Sequence, residues 1–179
     1  MIVNDDFRIR LLDRDDLDFA LRLREDSSTN RYLGTFCLLN SVRQNRWFEN
    51  LQSDSSRQFL IFEKHNSETD CWEKIGLVRM SEIDFINRSA CVGGDIAPQY
   101  RGRGYAKKMY ALIFRLGFRE MNMHRLWLLV MDNNKVARNL YKSLNFSEEG
   151  VQRQAVFKDG RYHDYIMMSI LKGEYENGN

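Results

Sequence analysis

The chain has 179 residues, 43% hydrophobic and 12% aromatic, which is enough for one packed core and, by length, one domain over 1–179. Lys and Arg total 27 against 25 Asp and Glu, so the net charge is +2, too balanced for a general nucleic-acid-binding surface. The longest purely apolar run, Leu126 to Met131, is far short of the roughly 20 residues that span a bilayer, so no membrane segment is expected.

Met1 to Arg10 carries Asp5 and Asp6 and lacks an apolar stretch, so a signal peptide is not expected either. Cys37, Cys71 and Cys91 are odd in number and far apart, and His65, His124 and His163 lie at no metal-ligand spacing with them. The expectation is a cytoplasmic protein without a metal site, its cysteines serving as small buried hydrophobes.

Phe7 to Leu12 alternates with period two and reads as a strand. Asp13 then caps a helix running to about Arg24, and a less regular stretch follows. Ser41-x-x-Gln44 has the form of a capping box for a second helix to Leu51. Gln58–Glu63, Lys74–Ile83 and Ala90–Ile96 are strand candidates separated by polar turns, an antiparallel meander. From Ala106 to Met121 the apolar residues recur at helical spacing. Leu126–Met131 reads as a central strand covered on both faces, and Asn134–Leu144 as a helix. Val151–Lys158 and Arg161–Leu171 form a hairpin about Asp159-Gly160. The order predicts an α/β (α+β) domain with a mixed sheet of seven strands and about four helices.

The most informative segment is Gln99-Tyr100-Arg101-Gly102-Arg103-Gly104-Tyr105-Ala106, which follows a strand and opens a helix. A helix N-terminus presents free N–H groups and the positive end of its dipole, which suits an anion. Gly102 and Gly104 let the backbone turn tightly and bring its amides close to phosphate oxygens. Arg101, Arg103, Lys107 and Lys108 add positive charge. The dinucleotide fingerprint fails because Lys107 holds the third glycine's place, and no Gly-Lys-Ser/Thr follows. A pyrophosphate cradle of another kind remains, or a tight turn with a solvated basic face.

On these residues the chain resembles the GNAT superfamily of acyl-CoA N-acyltransferases. Gln99-x-x-Gly102-x-Gly104 matches the family's Gln/Arg-x-x-Gly-x-Gly/Ala. Asn134-x-x-Ala137-x-x-Leu140-Tyr141-x-x-x-Asn145-Phe146 is similar to a second signature, with Asn145 where the family has glycine. Glu149-Gly150, Gly160-x-Tyr162-x-Asp164 and Met168-Ser169 are similar to the branch containing ribosomal-protein N-terminal acetyltransferases and spermidine N-acetyltransferase.

The resemblance implies acetyl-CoA as co-substrate, with direct acetyl transfer to a primary amine. It implies a twisted, mostly antiparallel sheet whose strands Ala90–Ile96 and Leu126–Met131 splay apart. The expected donor-binding residues are Ile96, Ala97, Gln99, Arg101, Gly102, Arg103, Gly104, Tyr105, Ala106 and Asn134, with no metal. An N–H near Ile96 would bond the thioester oxygen, and Pro98 fits a break in the ladder. Tyr141 matches the family's general acid, although its position also suits a core aromatic. For the base, some relatives carry a glutamate where Leu129 stands, and Glu82, Asp84 and Asp95 remain as nearby carboxylates, with Glu82 preferred.

Ser27 to Phe48, the family's usual acceptor wall, holds Arg31, Arg43, Arg46, Tyr32, Phe36, Trp47 and Phe48 and no Asp or Glu. A polycation would want carboxylates there, so the preferred acceptor is a small-molecule amine attached to something anionic, such as a nucleotide-linked amino sugar. A peptide N-terminus of a ribosomal or other protein is the runner-up, and a CoA-binding module without turnover is a third reading. Nucleic acid is not an expected partner, and the family precedent is monomer or homodimer.

Overall fold

The computed structural model describes residues 1–4, 6–34 and 40–177. In chain order the elements are β1 (Ile2–Asn4), β2 (Phe7–Leu11), α1 (Leu17–Glu25), α2 (Ser27–Asn30), α3 (Ser41–Gln52), β3 (Gln58–Asn66), β4 (Cys71–Asp84), β5 (Ser89–Ile96), α4 (Tyr105–Phe114), β6 (Arg125–Met131), α5 (Lys135–Lys142), β7 (Ser147–Lys158), β8 (Arg161–Leu171) and α6 (Lys172–Asn177). One sheet takes all of the strands, in the order β1-β2-β3-β4-β5-β6-β8-β7. Every neighbouring pair is antiparallel except β5 and β6.

The mixed, mostly antiparallel sheet is the expected one, but among the described residues it has eight strands rather than seven. The added strand, β1, is three residues long and too short to show a period. Two further helices, α2 and α6, read Ser-Ser-Thr-Asn and Lys-Gly-Glu-Tyr-Glu-Asn, with no apolar stripe to announce them.

Helix starts are also corrected. Asp13 caps a single 3-10 turn, Arg14–Asp16, from which α1 continues. At α3 the cap is Asn40, whose side chain accepts from the Arg43 N–H at 2.9 Å. Gln44 instead points inward and is buried, so the expected Ser41–Gln44 capping box does not form. The helix expected through Met121 is regular only to Phe114 and then widens into a π-helical turn, Arg115–Glu120.

Both faces of the sheet are covered. On one, α4 buries Met109, Tyr110, Leu112, Ile113 and Phe114 against Val78, Met80, Val92 and Leu128. On the other, Leu17, Ala20, Leu23 and Phe48 of α1 and α3 pack with Ile61 and Leu77. Beside this second core, Arg10 forks onto Asp16 and Glu63, Arg8 reaches Glu63, and Lys74 reaches Asp16. The two carboxylates are only 1% and 3% exposed, so each depends on its cationic partners. Burial alone would raise the Asp16 carboxyl, but hydrogen bonds from Arg10 and Lys74 hold it well below the usual carboxylate range.

Candidate active site

The site is made where β5 and β6 part. Their parallel pairing covers Ser89–Cys91 against Arg125–Trp127 and then stops, earlier than the break expected near Ile96. β6 keeps pairing with β8 as far as Met131, so the two strands diverge and leave a wedge between them. On β5, Asp95 pairs with Leu77, and the Ala97 N–H donates to the Ile75 carbonyl at 2.9 Å. Alternation along the strand therefore turns the intervening Ile96 peptide away from β4, so its N–H faces the wedge. The Ala97 amide is committed to β4 and is not a donor into the wedge.

A cavity of about 480 Å³ fills this wedge and runs to the start of α4. At that end, Gly102 and Gly104 both have φ +75°, a left-handed conformation that side chains with a Cβ resist. A Cβ at either would meet nothing within 4 Å, so the turn is open on its outer side. With the first amides of α4, it forms a concave group of donors whose shape and polarity fit a pyrophosphate.

Of the residues expected to hold the donor, Ile96, Arg101, Gly102, Gly104, Tyr105, Ala106 and Asn134 line the cavity. Ala97, Gln99 and Arg103 do not. Gln99 is exposed, and the Arg103 guanidinium lies over the Tyr100 ring, 5.9 Å from its centroid. Asn134 caps α5 by accepting from the Ala137 N–H. The Arg101 side chain is engaged elsewhere: it donates to the Ile96 carbonyl at 2.9 Å and to Ser28 and Thr29 on α2.

Tyr141 lines the cavity, its ring 5.5 Å from that of Tyr110 and edge-on to it. Burial raises the Tyr141 phenol above its usual range; Tyr110 opposes this and Asp95 reinforces it. Tyr141 is therefore a protonated donor at neutral pH and a suitable acid for a departing thiolate. Tyr110 is buried and has no hydrogen-bond partner of ordinary geometry among the described residues; burial and the neighbouring Tyr141 push it well above a normal phenol.

On the α1–α3 face, Arg79 and Asp95 line the cavity, 3.6 Å apart. Arg79 lies across Gly93, where a Cβ would meet its terminal nitrogen at 3.0 Å. Cys91, on the same face, has a thiol pushed up to about 11, chiefly by burial. Glu82 is not brought into the cavity. It sits at the irregularity between Ser81 and Asp84, exposed, with φ +51°. Asp84 is spent on the Asn87 and Ile86 amides of its own turn.

The expected acceptor wall is only partly assembled. Arg31 and Tyr32 line the cavity beside Leu33. Arg43 and Arg46 lie on the exposed side of α3, Trp47 packs edge-on against Phe59, and Phe48 is core. Phe36 and Cys37 lie outside the described residues. Sequence reasoning missed Arg79, Tyr110 and the hydroxyls of Ser28 and Thr29. The Gly93-Gly94 doublet inside a strand was the available signal for Arg79, since such a pair marks a close approach.

Residues 6–147 match the acetyltransferase (GNAT) domain family. The chain is 31% identical over 173 residues to the spermidine N(1)-acetyltransferase of Escherichia coli K12, covering 94% of this chain and 87% of that protein. It is 30% identical to the spermidine N(1)-acetyltransferase of Vibrio cholerae, with 98% of each covered. The structure of spermidine N-acetyltransferase from Vibrio cholerae in complex with CoA and spermine superposes with a TM-score of 0.90 at 29% identity, over 97% of this chain and 100% of that one. The chain belongs to the GNAT acetyltransferase family and is an acetyl-CoA-dependent N-acetyltransferase.

Proposed function

We propose that this acetyltransferase holds acetyl-CoA along the wedge and transfers its acetyl group to a small primary amine whose remaining body is anionic or neutral. The turn Gly102–Ala106 takes the pyrophosphate, the Ile96 N–H bonds the thioester oxygen as negative charge develops on it, and Tyr141 gives its proton to the leaving sulfur. The amine enters on the α1–α3 face past Arg31 and Tyr32. Asp95 receives the ammonium there and, directly or through water, takes its proton, with Arg79 keeping that carboxylate in place.

The observation that carries the acceptor class is the charge of the cavity. Arg31, Arg79 and Arg101 line it, and Asp95 is the one carboxylate among its described lining residues. With the Arg101 charge balanced by Asp26, a spermidine-like trication would meet two guanidinium groups, Arg31 and Arg79, for the one counter-charge of Asp95. The similarity to spermidine acetyltransferases favours a second reading, a polyamine acceptor.

A panel of spermidine, a nucleotide-linked amino sugar and a peptide with a free N-terminus, read as CoA thiol release, tests this. The amino sugar should give the highest kcat/KM, and Arg31→Ala should raise its KM while leaving that of acetyl-CoA unchanged. Preference for spermidine, with no response to Arg31→Ala, would establish the polyamine reading instead.

A further inference from the structure

Arg101 belongs by position to the anion-binding turn, yet its guanidinium faces the other way. Its Nε donates to the Ile96 carbonyl, and its terminal nitrogens donate to Ser28 Oγ at 2.6 Å and Thr29 Oγ1 at 2.5 Å. Both hydroxyls in turn donate to Asp26, whose carboxylate lies 3.8 Å from the guanidinium and so balances its charge. The segment it grips runs from Asp26 through α2 into Arg31, Tyr32 and Leu33, the acceptor side of the cavity. At its far end the same segment is held by Lys158, which donates to Asn30 and to the Leu33 carbonyl.

We infer that Arg101 is a positioning residue that fastens the acceptor wall to the donor turn, so that occupancy of the turn orders the wall. One arm fixes the Ile96 carbonyl, on the same residue as the N–H that faces the wedge, and the other arm fixes α2. A ligand that orders Gly102–Gly104 therefore restrains the residue immediately before them and, through it, the wall against which an amine is received. The planar fork of arginine makes this possible, because three donors reach separate acceptors at fixed angles; lysine has no equivalent geometry. This rests on the donor placement proposed above.

Hydrogen exchange of the full-length protein, with and without acetyl-CoA, tests the coupling without needing the acceptor. In the wild type, acetyl-CoA should slow exchange at 101–108 and also at 28–33. In Arg101→Gln the first protection should remain and the second should be lost. The Ser28→Ala/Thr29→Val pair, which removes only the α2 arm, should behave likewise. With the best acceptor of the panel, both variants should raise acceptor KM by about tenfold, the loss of charge-assisted hydrogen bonds, with little change in acetyl-CoA KM. Only Arg101→Gln, which also frees the Ile96 carbonyl, should lower kcat, and Arg101→Lys should not restore it.

Absence of protection at 101–108 in the wild type would overturn the donor placement itself and this inference with it. Protection at 28–33 that persists in Arg101→Gln would overturn the coupling alone. A tenfold loss of acetyl-CoA affinity in Arg101→Gln, with α2 exchange unchanged, would make Arg101 a phosphate ligand and contradict the inference.

Discussion

Asp95 and Arg79 stand diagonally on one face of adjacent strands, with the carboxylate 3.6 Å from the guanidinium. The pair lines the cavity on the α1–α3 face of the sheet, and the Arg79 Nε has no hydrogen-bond partner among the described residues. A carboxylate in this position can bind an ammonium and then accept its proton, becoming a neutral acid as the free amine is released to attack. Asp95→Asn should lower kcat/KM for the amine by about 10²-fold or more, with acetyl-CoA affinity intact. Glu82→Gln, at the exposed irregularity of β4, should leave both constants near wild type. The reverse ranking would return the base to Glu82.

Gly104 occupies φ +75° with open space beside it, so the strain of a substitution there comes from the backbone, not from a clash with protein. Gly104→Val must either distort the turn or place a branched side chain where the phosphate lies. Calorimetric titration should show acetyl-CoA affinity falling about tenfold or more, with circular dichroism unchanged. Undiminished affinity would place the pyrophosphate elsewhere.

Asp16, paired with Arg10 and Lys74, bears on stability rather than on the site. Its carboxyl is held below its ordinary value in the folded chain, so its contribution is complete above the unfolded value of about 3.9 and is lost as pH falls below it. Asp16→Asn removes a charge shared by Arg10 and Lys74 in a nearly dry site and should cost about 3 kcal/mol at pH 7. Urea denaturation should show that cost shrinking between pH 5 and pH 3. A cost that does not change with pH would mean that Asp16 acts through packing rather than charge.

The parts of the fold that follow from local rules were legible in the sequence. The strand at Gln58–Glu63 and the helical stripe from Ala106 come from local apolar pattern, and the structure carries both, with β3 buried on its two faces and the regular helix ending at Phe114. Asn145, standing where the family has glycine, adopts φ +64°, as its tolerance of the left-handed region allows. What was not legible depends on distant residues meeting. Arg101 reads as a phosphate ligand because its neighbours are glycines, and only the fold shows that Ser28 and Thr29, over 70 positions away, claim it. Trp47 and Phe48 read as a binding wall until Phe59 and the α1 core are seen against them. Glu82 looked close to the site because it ends a strand that borders it; the irregularity after Ser81 turns it outward.

In the proposed reaction Tyr141 protonates the departing thiolate, and its hydroxyl is the one group whose removal tests this with little change in packing. Tyr141→Phe keeps the ring that packs edge-on against Tyr110 and tilted against Phe146. Burial holds the phenol protonated above its usual range, so the wild-type kcat should show no loss from Tyr141 ionising between pH 6 and pH 9.5. The variant should have kcat reduced by about 10²–10⁴-fold at neutral pH, with acetyl-CoA affinity preserved. Part of that loss should be recovered as pH rises past about 8.5, where a thiol leaves readily as thiolate. The measurement is kcat against pH for both proteins, using the best amine of the panel. A Tyr141→Phe profile that overlays the wild type throughout would exclude Tyr141 as the acid and leave it as a core aromatic.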